Sequence, residues 1–155
     1  MKFIKNICFF IIISIIIVTI GYLLDSIFLF SYLKSNIIGL LLTLLAINTA
    51  TSGLIASKIQ DILVKYPKLD FSRTTREMRI SLLEQIVLIA ISIIVLMFQD
   101  SQKIVFEIKE SICNVILVVI FIYSVDILWD TGKAVFIIID EIQKGNNNDK
   151  TITDT

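Results

Sequence analysis

Histidine is absent from the 155-residue chain, which removes the most common general base and the most common zinc ligand. Only two cysteines occur, and their spacing forms neither a metal-binding motif nor a disulfide framework. The glycine-containing motifs of phosphate-binding loops and nucleophile elbows are missing as well. We therefore expect a protein that is not an enzyme and that uses no cofactor and no metal.

Charged residues are few and balanced, with 14 basic and 14 acidic side chains and a formal net charge of zero. This balance predicts no nucleic-acid partner. Hydrophobic residues make up 56% of the chain, above the share typical of globular domains. They are concentrated in blocks about as long as a bilayer is thick, which predicts an all-α polytopic membrane protein in contact with lipid.

Four apolar blocks of 18 to 20 residues predict four transmembrane helices, at residues 7–24, 37–56, 80–98 and 112–129. They lack the alternation of polar and apolar residues that is typical of barrel strands. The first block follows two lysines, as a signal peptide would, but it is long for one and has no clear cleavage site. We expect an uncleaved anchor there.

The basic residues of the connections predict the orientation. With both termini in the cytoplasm, eleven lysines and arginines lie inside and three lie outside. The positive-inside rule favours this threading over the reverse. The sequence thus predicts a four-helix membrane domain over residues 1–144, with cytoplasmic termini, in a bacterial cytoplasmic (inner) membrane.

The connection between the second and third spans, residues 57–79, is the most basic segment. We expect the second helix to extend to Tyr66, because the residue before a proline is disfavoured in the helical conformation. Ser72 or Thr74 is expected to cap the third helix. Two interpretations are open: the charge only determines topology, or it binds a cytoplasmic protein or anionic lipid. The basic residues are Lys58, Lys65, Lys68, Arg73, Arg76 and Arg79.

The second span is the most polar of the four. Small side chains recur along it at spacings of three and four, which predicts a helix-packing face. This face consists of Gly39, Thr43, Ala46, Ala50, Gly53 and Ser57. It favours packing inside one bundle, with a subunit interface or a water-lined path as the alternative. Asn48, Thr51 and Ser52 lie on a neighbouring face and predict either interhelical hydrogen bonds or the lining of a pore.

Charged residues near the predicted inner ends of the third and fourth spans form a further candidate site. Glu84 is about one turn inside the third span. We expect it to be an interfacial carboxylate that contacts Arg76, Arg79 or Lys133, and the alternative is a role in a proton relay. On a continuous helix, Asp130 and Lys133 make a favourable i, i+3 pair.

The depth of Asp126 depends on where the fourth span ends. A span over 112–129 puts Asp126 at the inner interface, and Tyr123 and Trp129 then occupy the aromatic belt. A membrane region that reached Ile139 would put Asp126 near the midplane, where a carboxylate marks an ion path. That span would be about 42 Å long, so we favour the interfacial position.

The remaining segments complete the predicted organisation. Residues 133–144 are expected to lie along the inner interface after a break at Gly132, and the polar tail 145–155 is expected to be disordered. Cys8 and Cys113 fall at opposite ends of the predicted bundle. That separation excludes an intramolecular disulfide.

Three classes of function remain. The first is a non-enzymatic membrane protein that acts through helix packing and its basic loop, as a subunit of a membrane complex or as an immunity or phage-defence component. The second is a small oligomeric pore or membrane-disrupting effector lined by the second span, with a homo-oligomer as its active form. The third, a transporter or intramembrane enzyme, is disfavoured because no half-repeat and no intramembrane proline occurs.

Overall fold

A computed structural model gives the backbone of residues 2–65, 67, 70–102 and 108–153, and the side chains of residues 8–64, 67, 70–102 and 108–136. Every regular element in these ranges is an α-helix. The helices are α1 (Lys2–Leu23), α2 (Phe28–Lys65), α3 (Ser72–Asp100) and α4 (Lys109–Thr153). The predicted all-α class agrees with this architecture.

Three segments of the described chain are long and apolar enough to cross a membrane: Phe28–Val64, Ser72–Asp100 and Lys109–Phe136. The described apolar part of α1, Cys8–Leu23, is shorter than these. An integral membrane protein is therefore indicated. Four spans, and the sides on which the termini lie, stay predictions.

The connection between α1 and α2 is a tight turn. The backbone N–H of Ser26 donates to the carbonyl of Gly21 at 2.9 Å, and that of Asp25 donates to Tyr22 at 3.2 Å. This is the Schellman pattern, with Asp25 in the left-handed conformation at φ 50°. Helix α2 begins at Phe28. Most of residues 25–36, the predicted connection between the first two spans, is therefore helical.

The connection between α2 and α3 contains Pro67, and the helices end and begin close to the expected positions. α2 ends at Lys65 and α3 begins at Ser72. The predicted cap at Ser72 is wrong, because Ser72 is already helical and the preceding residue makes no side-chain cap hydrogen bond. Instead, the carboxylate of Asp70 accepts the backbone N–H of Ser72 at 2.8 Å and its hydroxyl at 3.1 Å.

Helix α4 differs most from the expectation. It is continuous for 45 residues, with no break at Gly132 and with helical backbone through most of the predicted tail. A glycine inside a helix costs only about 1 kcal/mol relative to alanine, and no proline follows to stop the helix. The side chains beyond residue 136, including most of the predicted interfacial segment 133–144, lie outside the described part of the structure.

Helix α4 is the centre of the packing, because it contacts each of the other three helices. Its direction relative to its neighbours follows from side-chain contacts. The rings of Phe10 and Tyr123 are 5.9 Å apart, and the hydroxyls of Tyr22 and Ser111 are 2.8 Å apart, so α1 and α4 are antiparallel. The apolar core runs between the helices and includes Ile37, Leu41, Leu88 and Leu117.

Candidate functional site

A cavity of about 370 Å³ lies between the first turns of α3 and the middle of α4. We call it the acidic cleft. Its polar wall on α3 is formed by Glu77, Ser81 and Glu84. Its polar wall on α4 is formed by Tyr123, Asp126, Asp130 and Thr131. Apolar side chains, among them Met78, Ile80 and Ile127, complete the lining.

The cleft arises because both helices present one face to each other at this end. On α3, lining residues recur at spacings of three and four from Thr74 to Glu84. On α4, they recur in the same way from Tyr123 to Ala134. A hydrogen-bonding contact of 3.2 Å between the hydroxyls of Ser81 and Thr131 joins the two walls at their inner edge.

Two of the carboxylates in the cleft have basic partners on their own helices. Asp130 pairs with Lys133 at 2.9 Å, the expected i, i+3 pair, and the Lys133 ammonium also lies 5.4 Å from the Trp129 ring centroid. Glu77 pairs with Arg73 at 3.0 Å. Both pairs are largely exposed, so they stabilise the helices only slightly.

The other two carboxylates lack a basic partner among the described residues. Glu84 interacts with Tyr123 through a side-chain hydrogen bond instead of the arginines or lysine that the sequence suggested. Asp126 is half-buried and makes no ion pair within the described chain, although the Lys133 ammonium attracts it and the Asp130 carboxylate repels it. The acidic cleft therefore contains two carboxyl groups, those of Glu84 and Asp126, that form no ion pair within the described chain.

A cluster of neutral polar side chains lies directly behind Ser81. The amide nitrogen of Asn48, on α2, donates to the Ser81 hydroxyl and to the Gln85 side-chain oxygen, both at 3.0 Å. Asn48 is 0% exposed and Gln85 is 2% exposed. Together with Thr131, these residues form what we call the amide cluster, which joins α2, α3 and α4.

Several atoms in and beside the amide cluster have no hydrogen-bond partner among the described residues. They are the side-chain oxygen of Asn48, the side-chain nitrogen of Gln85 and the hydroxyl of Ser52, one turn further along α2. Buried polar atoms are nearly always satisfied in proteins, by protein groups or by water. An acceptor, a donor and a hydroxyl are all groups that water molecules can satisfy.

The far end of the bundle has its own polar contact. The amide nitrogen of Gln99, on α3, donates to the side-chain oxygen of Asn114 on α4 at 3.2 Å. Ser92 lies between the two ends, buried and bonded to its own helix. The inward face of α3 is therefore polar at Ser81, Gln85, Ser92 and Gln99, with Leu88 and Val95 between them.

The small-residue face of α2 lies on the outside of the single chain, whereas the sequence favoured packing inside the bundle. All six of its residues, from Gly39 to Ser57, are exposed in the single chain. A methyl group added at Gly39 or Gly53 would meet no atom within 4 Å. The prediction that this face packs inside the bundle is thus wrong. The buried face of α2 instead carries Asn48, Ser52 and the apolar residues Leu33, Ile37, Leu41, Ile55 and Ile59.

The polar residues of the second span divide between two environments. Asn48 and Ser52 are buried within the bundle of one chain, and Asn48 makes interhelical hydrogen bonds. Thr51 donates to the carbonyl of Ile47 on its own helix. None of the three is on the outward small-residue face, so this arrangement offers no lumen that several copies would line with Asn48.

The basic connection is only partly available for binding. Lys58 pairs with Asp61 at 3.2 Å, and Arg73 pairs with Glu77. Arg76 and Arg79 are exposed and make no ion pair in the described part of the chain. The side chains of Lys65 and Lys68 lie outside that part.

Three features of the site were not anticipated. The first is the set of polar residues on the inward face of α3, which the sequence signals by spacings of four and seven from Ser81 to Gln99. The second is Thr131, which lies one turn beyond the buried Ile127 on α4. The third is the contact of Tyr123 with Glu84, for which no pattern in the sequence gives a signal.

The arrangement can bind cations and donors of hydrogen bonds, and it contains no pairing of a nucleophile with a base. No group of three or more metal-ligating side chains converges in the described residues. Cys113 is buried and Cys8 is exposed, and both are free thiols. Comparisons of the chain with known protein families, with characterised proteins and with solved structures give no match.

Proposed function

We propose that this protein is a non-enzymatic subunit of a membrane complex, in which the outward face of α2 packs against a helix of another chain. The proposal includes the predicted topology, with four spans and both termini in the cytoplasm. An immunity or defence component would be one role for such a subunit. The observation that carries it is the exposure of the whole small-residue face of α2.

Helices in lipid associate mainly through close van der Waals contact and hydrogen bonds, because lipid tails are as apolar as the side chains. Residues such as Gly39, Ala46 and Gly53 let a second helix approach closely. This face extends through most of the predicted span, from Gly39 to Ser57, a rise of about 27 Å. That length is enough for a helix–helix contact across the whole hydrocarbon region.

The end of the bundle near the α2–α3 connection supports the same role. Arg76 and Arg79 are exposed on the first turns of α3, and in the predicted topology they face the cytoplasm. Exposed arginines at that position suit anionic headgroups or an acidic surface of a partner protein. They would orient a complex that the outward face of α2 holds together.

Cysteine crosslinking tests the proposal most simply. In a Cys8→Ser background, Ala46→Cys places a thiol on the outward face of α2, and Ala90→Cys places one on the exposed face of α3. We expect the α2 thiol to be captured by a bifunctional reagent with high yield and the α3 thiol to be captured poorly. The purified protein in liposomes and the native membrane are treated in parallel.

Capture from α2 in liposomes identifies a second copy of this chain as the neighbour, and capture only in the native membrane identifies another protein. Both results support the proposal when Ala90→Cys stays uncrosslinked. Equal yields from the two positions, or no capture from α2 in either membrane, contradict it.

A further inference from the structure

Arg76 and Arg79 differ from the other basic residues whose side chains are described at this end of the bundle. Lys58, Arg73 and Lys133 each pair with an acidic side chain three or four positions away on the same helix. No acidic residue occupies such a position around Arg76 or Arg79, and neither arginine makes an ion pair within the described chain. Their like charges are one turn apart and repel each other unless an anion neutralises them.

The surface of α3 that continues from these two arginines is apolar and faces outward. At spacings of three and four, the same face of the helix carries long apolar side chains that are each more than half exposed. They are Leu83, Ile86, Val87, Ile94 and Met97, and we call them the α3 stripe. From Leu83 to Met97 the stripe rises about 21 Å, which exceeds half the thickness of a bilayer's hydrocarbon core.

The arginines are also turned away from the carboxylates of the acidic cleft. Glu77 and Glu84 line the cleft on a different side of α3. Glu84 follows Arg79 by five residues, which corresponds to a rotation of about 140° around the helix axis. The two arginines therefore share a face with the α3 stripe and not with the acidic residues of their own helix.

A phospholipid whose acyl chains lie on the α3 stripe has its headgroup close to both arginines. Along the axis, Arg79 is about 6 Å and Arg76 about 11 Å from Leu83. Guanidinium groups bind phosphate oxygens through paired, charge-assisted hydrogen bonds. A zwitterionic headgroup brings its own cation to the phosphate, whereas an anionic one keeps a net negative charge for the arginines. An acidic protein surface fits less well, because the side chains next to the arginines suit lipid.

We propose that Arg76 and Arg79 bind the phosphate of an anionic phospholipid whose acyl chains pack along the α3 stripe. This lipid belongs to the leaflet at the arginine end, because α3 carries no further basic residue between Arg79 and its end at Asp100. The proposal rests on the membrane location of the bundle and not on the contacts of α2. Either proposal can therefore fail alone.

Single tryptophan reporters measure which lipid lies next to each end of the α3 stripe. Trp129, the only native tryptophan, is replaced by phenylalanine, and Leu83→Trp or Met97→Trp supplies the reporter at an exposed position. The full-length protein is reconstituted in phosphatidylcholine with increasing fractions of brominated phosphatidylglycerol, which quenches nearby tryptophan. At the Leu83→Trp reporter we expect phosphatidylglycerol to be bound about fivefold or more tightly than phosphatidylcholine, the factor typical of one base near an anionic surface.

Removal of the arginines should abolish this preference. In Arg76→Gln/Arg79→Gln, the ratio of the two affinities at the Leu83→Trp reporter should fall to about one, while the ratio at the Met97→Trp reporter should stay unchanged. Arg73→Gln is the matched control for net charge, because it removes one arginine of the same helix that already pairs with Glu77. It should retain most of the preference, whereas Arg76→Gln alone should lower it severalfold.

Four results would overturn the assignment. One is an unchanged preference in the Arg76→Gln/Arg79→Gln variant, and another is an equal loss in Arg73→Gln and Arg76→Gln, which would indicate diffuse charge attraction. Displacement of phosphatidylglycerol by inorganic phosphate would assign the arginines to a free anion. Finally, a photoreactive residue in place of Leu83 should capture phospholipid in the native membrane, and capture of a protein there would assign the arginines to a partner chain.

Discussion

The outward faces of α2 and α3 are both exposed, yet they are built from different residues. α3 presents long apolar side chains, including Ile86, Val87, Ile91, Ile94 and Met97. α2 presents a continuous row of glycine, alanine, threonine and serine between a few larger residues. Long apolar side chains suit acyl chains, whereas a row of small ones suits another helix. The difference separates a lipid-facing surface from one that we propose is covered.

The inward faces of the two helices, in contrast, both carry polar side chains. α3 turns Gln85 and Ser92 into the bundle and α2 turns Asn48 and Ser52 there, although each helix is apolar overall. Polar groups inside and apolar groups outside are what a bilayer favours, because only the interior offers hydrogen-bond partners. The two helices are therefore similar inside the bundle and differ in what surrounds it.

The largest expected effect comes from adding bulk to the outward face of α2. Ala50→Ile should greatly reduce the crosslinking of Ala46→Cys, because a β-branched side chain prevents close approach of a second helix. Overpacking typically costs about 1–3 kcal/mol, which corresponds to a loss of association between roughly fivefold and somewhat over a hundredfold. Ala90→Ile makes the same chemical change on α3 and should leave the yield of crosslinked Ala46→Cys unchanged; an equal loss with Ala90→Ile would remove the distinction between the faces.

The inward contact is tested by Asn48→Leu, which keeps the volume but leaves Ser81 and Gln85 without their shared donor. We expect a loss of about 1–3 kcal/mol in the free energy of unfolding, measured by steric trapping in bicelles. Gln85→Leu in the same background should restore part of this stability, with a coupling of about 0.6–2 kcal/mol. Strictly additive losses would mean that the two amides act independently.

Substitutions at Gly21 and Gly39 compare a closely packed position with an open one. A methyl group at Gly21 would lie 2.9 Å from the buried Phe30 ring, whereas one at Gly39 would meet nothing. Gly21→Ala should therefore lower the stability of the monomer by about 1–2 kcal/mol. Gly39→Ala should be neutral or slightly stabilising in monomeric protein, by up to about 1 kcal/mol. Thermal unfolding of both variants in detergent measures this, and the reverse order would contradict the described α1–α2 packing.

The smallest effect concerns the start of α3. The backbone N–H and the hydroxyl of Ser72 donate to Asp70 and lower the pKa of this carboxyl below its ordinary value of 3.8. The stabilisation of the first turn is thus complete above that value and is lost as the pH falls through the lower pKa of the folded state. Hydrogen exchange should show reduced protection of the first turn at low pH, and Asp70→Asn should remove this pH dependence.

The sequence predicts the helices well because apolar block length determines which segments can cross a bilayer. Pro67 marks the connection between α2 and α3 for a similar local reason. The sequence did not predict the continuity of α4, because Gly132 and the polar residues of the tail 145–155 lower helix propensity without forbidding a helix. The early start of α2 at Phe28 depends on the Asp25 turn, in which a non-glycine residue adopts the left-handed conformation.

The candidate site was predicted less completely. Spacing shows that Gly39, Thr43 and Ala46 share a face of α2, but it does not show which neighbour that face meets. The ion pair of Asp130 with Lys133 is local and was predictable. The pairing of Glu84 with Tyr123 joins two helices, and the bonds of Asn48 to Ser81 and Gln85 do the same. Such contacts depend on the relative rotation of the helices, which periodicity alone does not give.

Oxygen accessibility of a spin label tests the contrast between α2 and α3 most directly. Labels at Ala46→Cys and Ala90→Cys, in a Cys8→Ser background, are measured by power saturation in native-like liposomes that contain the assembled complex. Oxygen concentrates in the hydrocarbon of the bilayer, so the α3 label should be highly accessible and the α2 label strongly protected. Equal, high accessibility at both positions would show that lipid covers α2 as it covers α3, and would contradict the proposed helix-packing role.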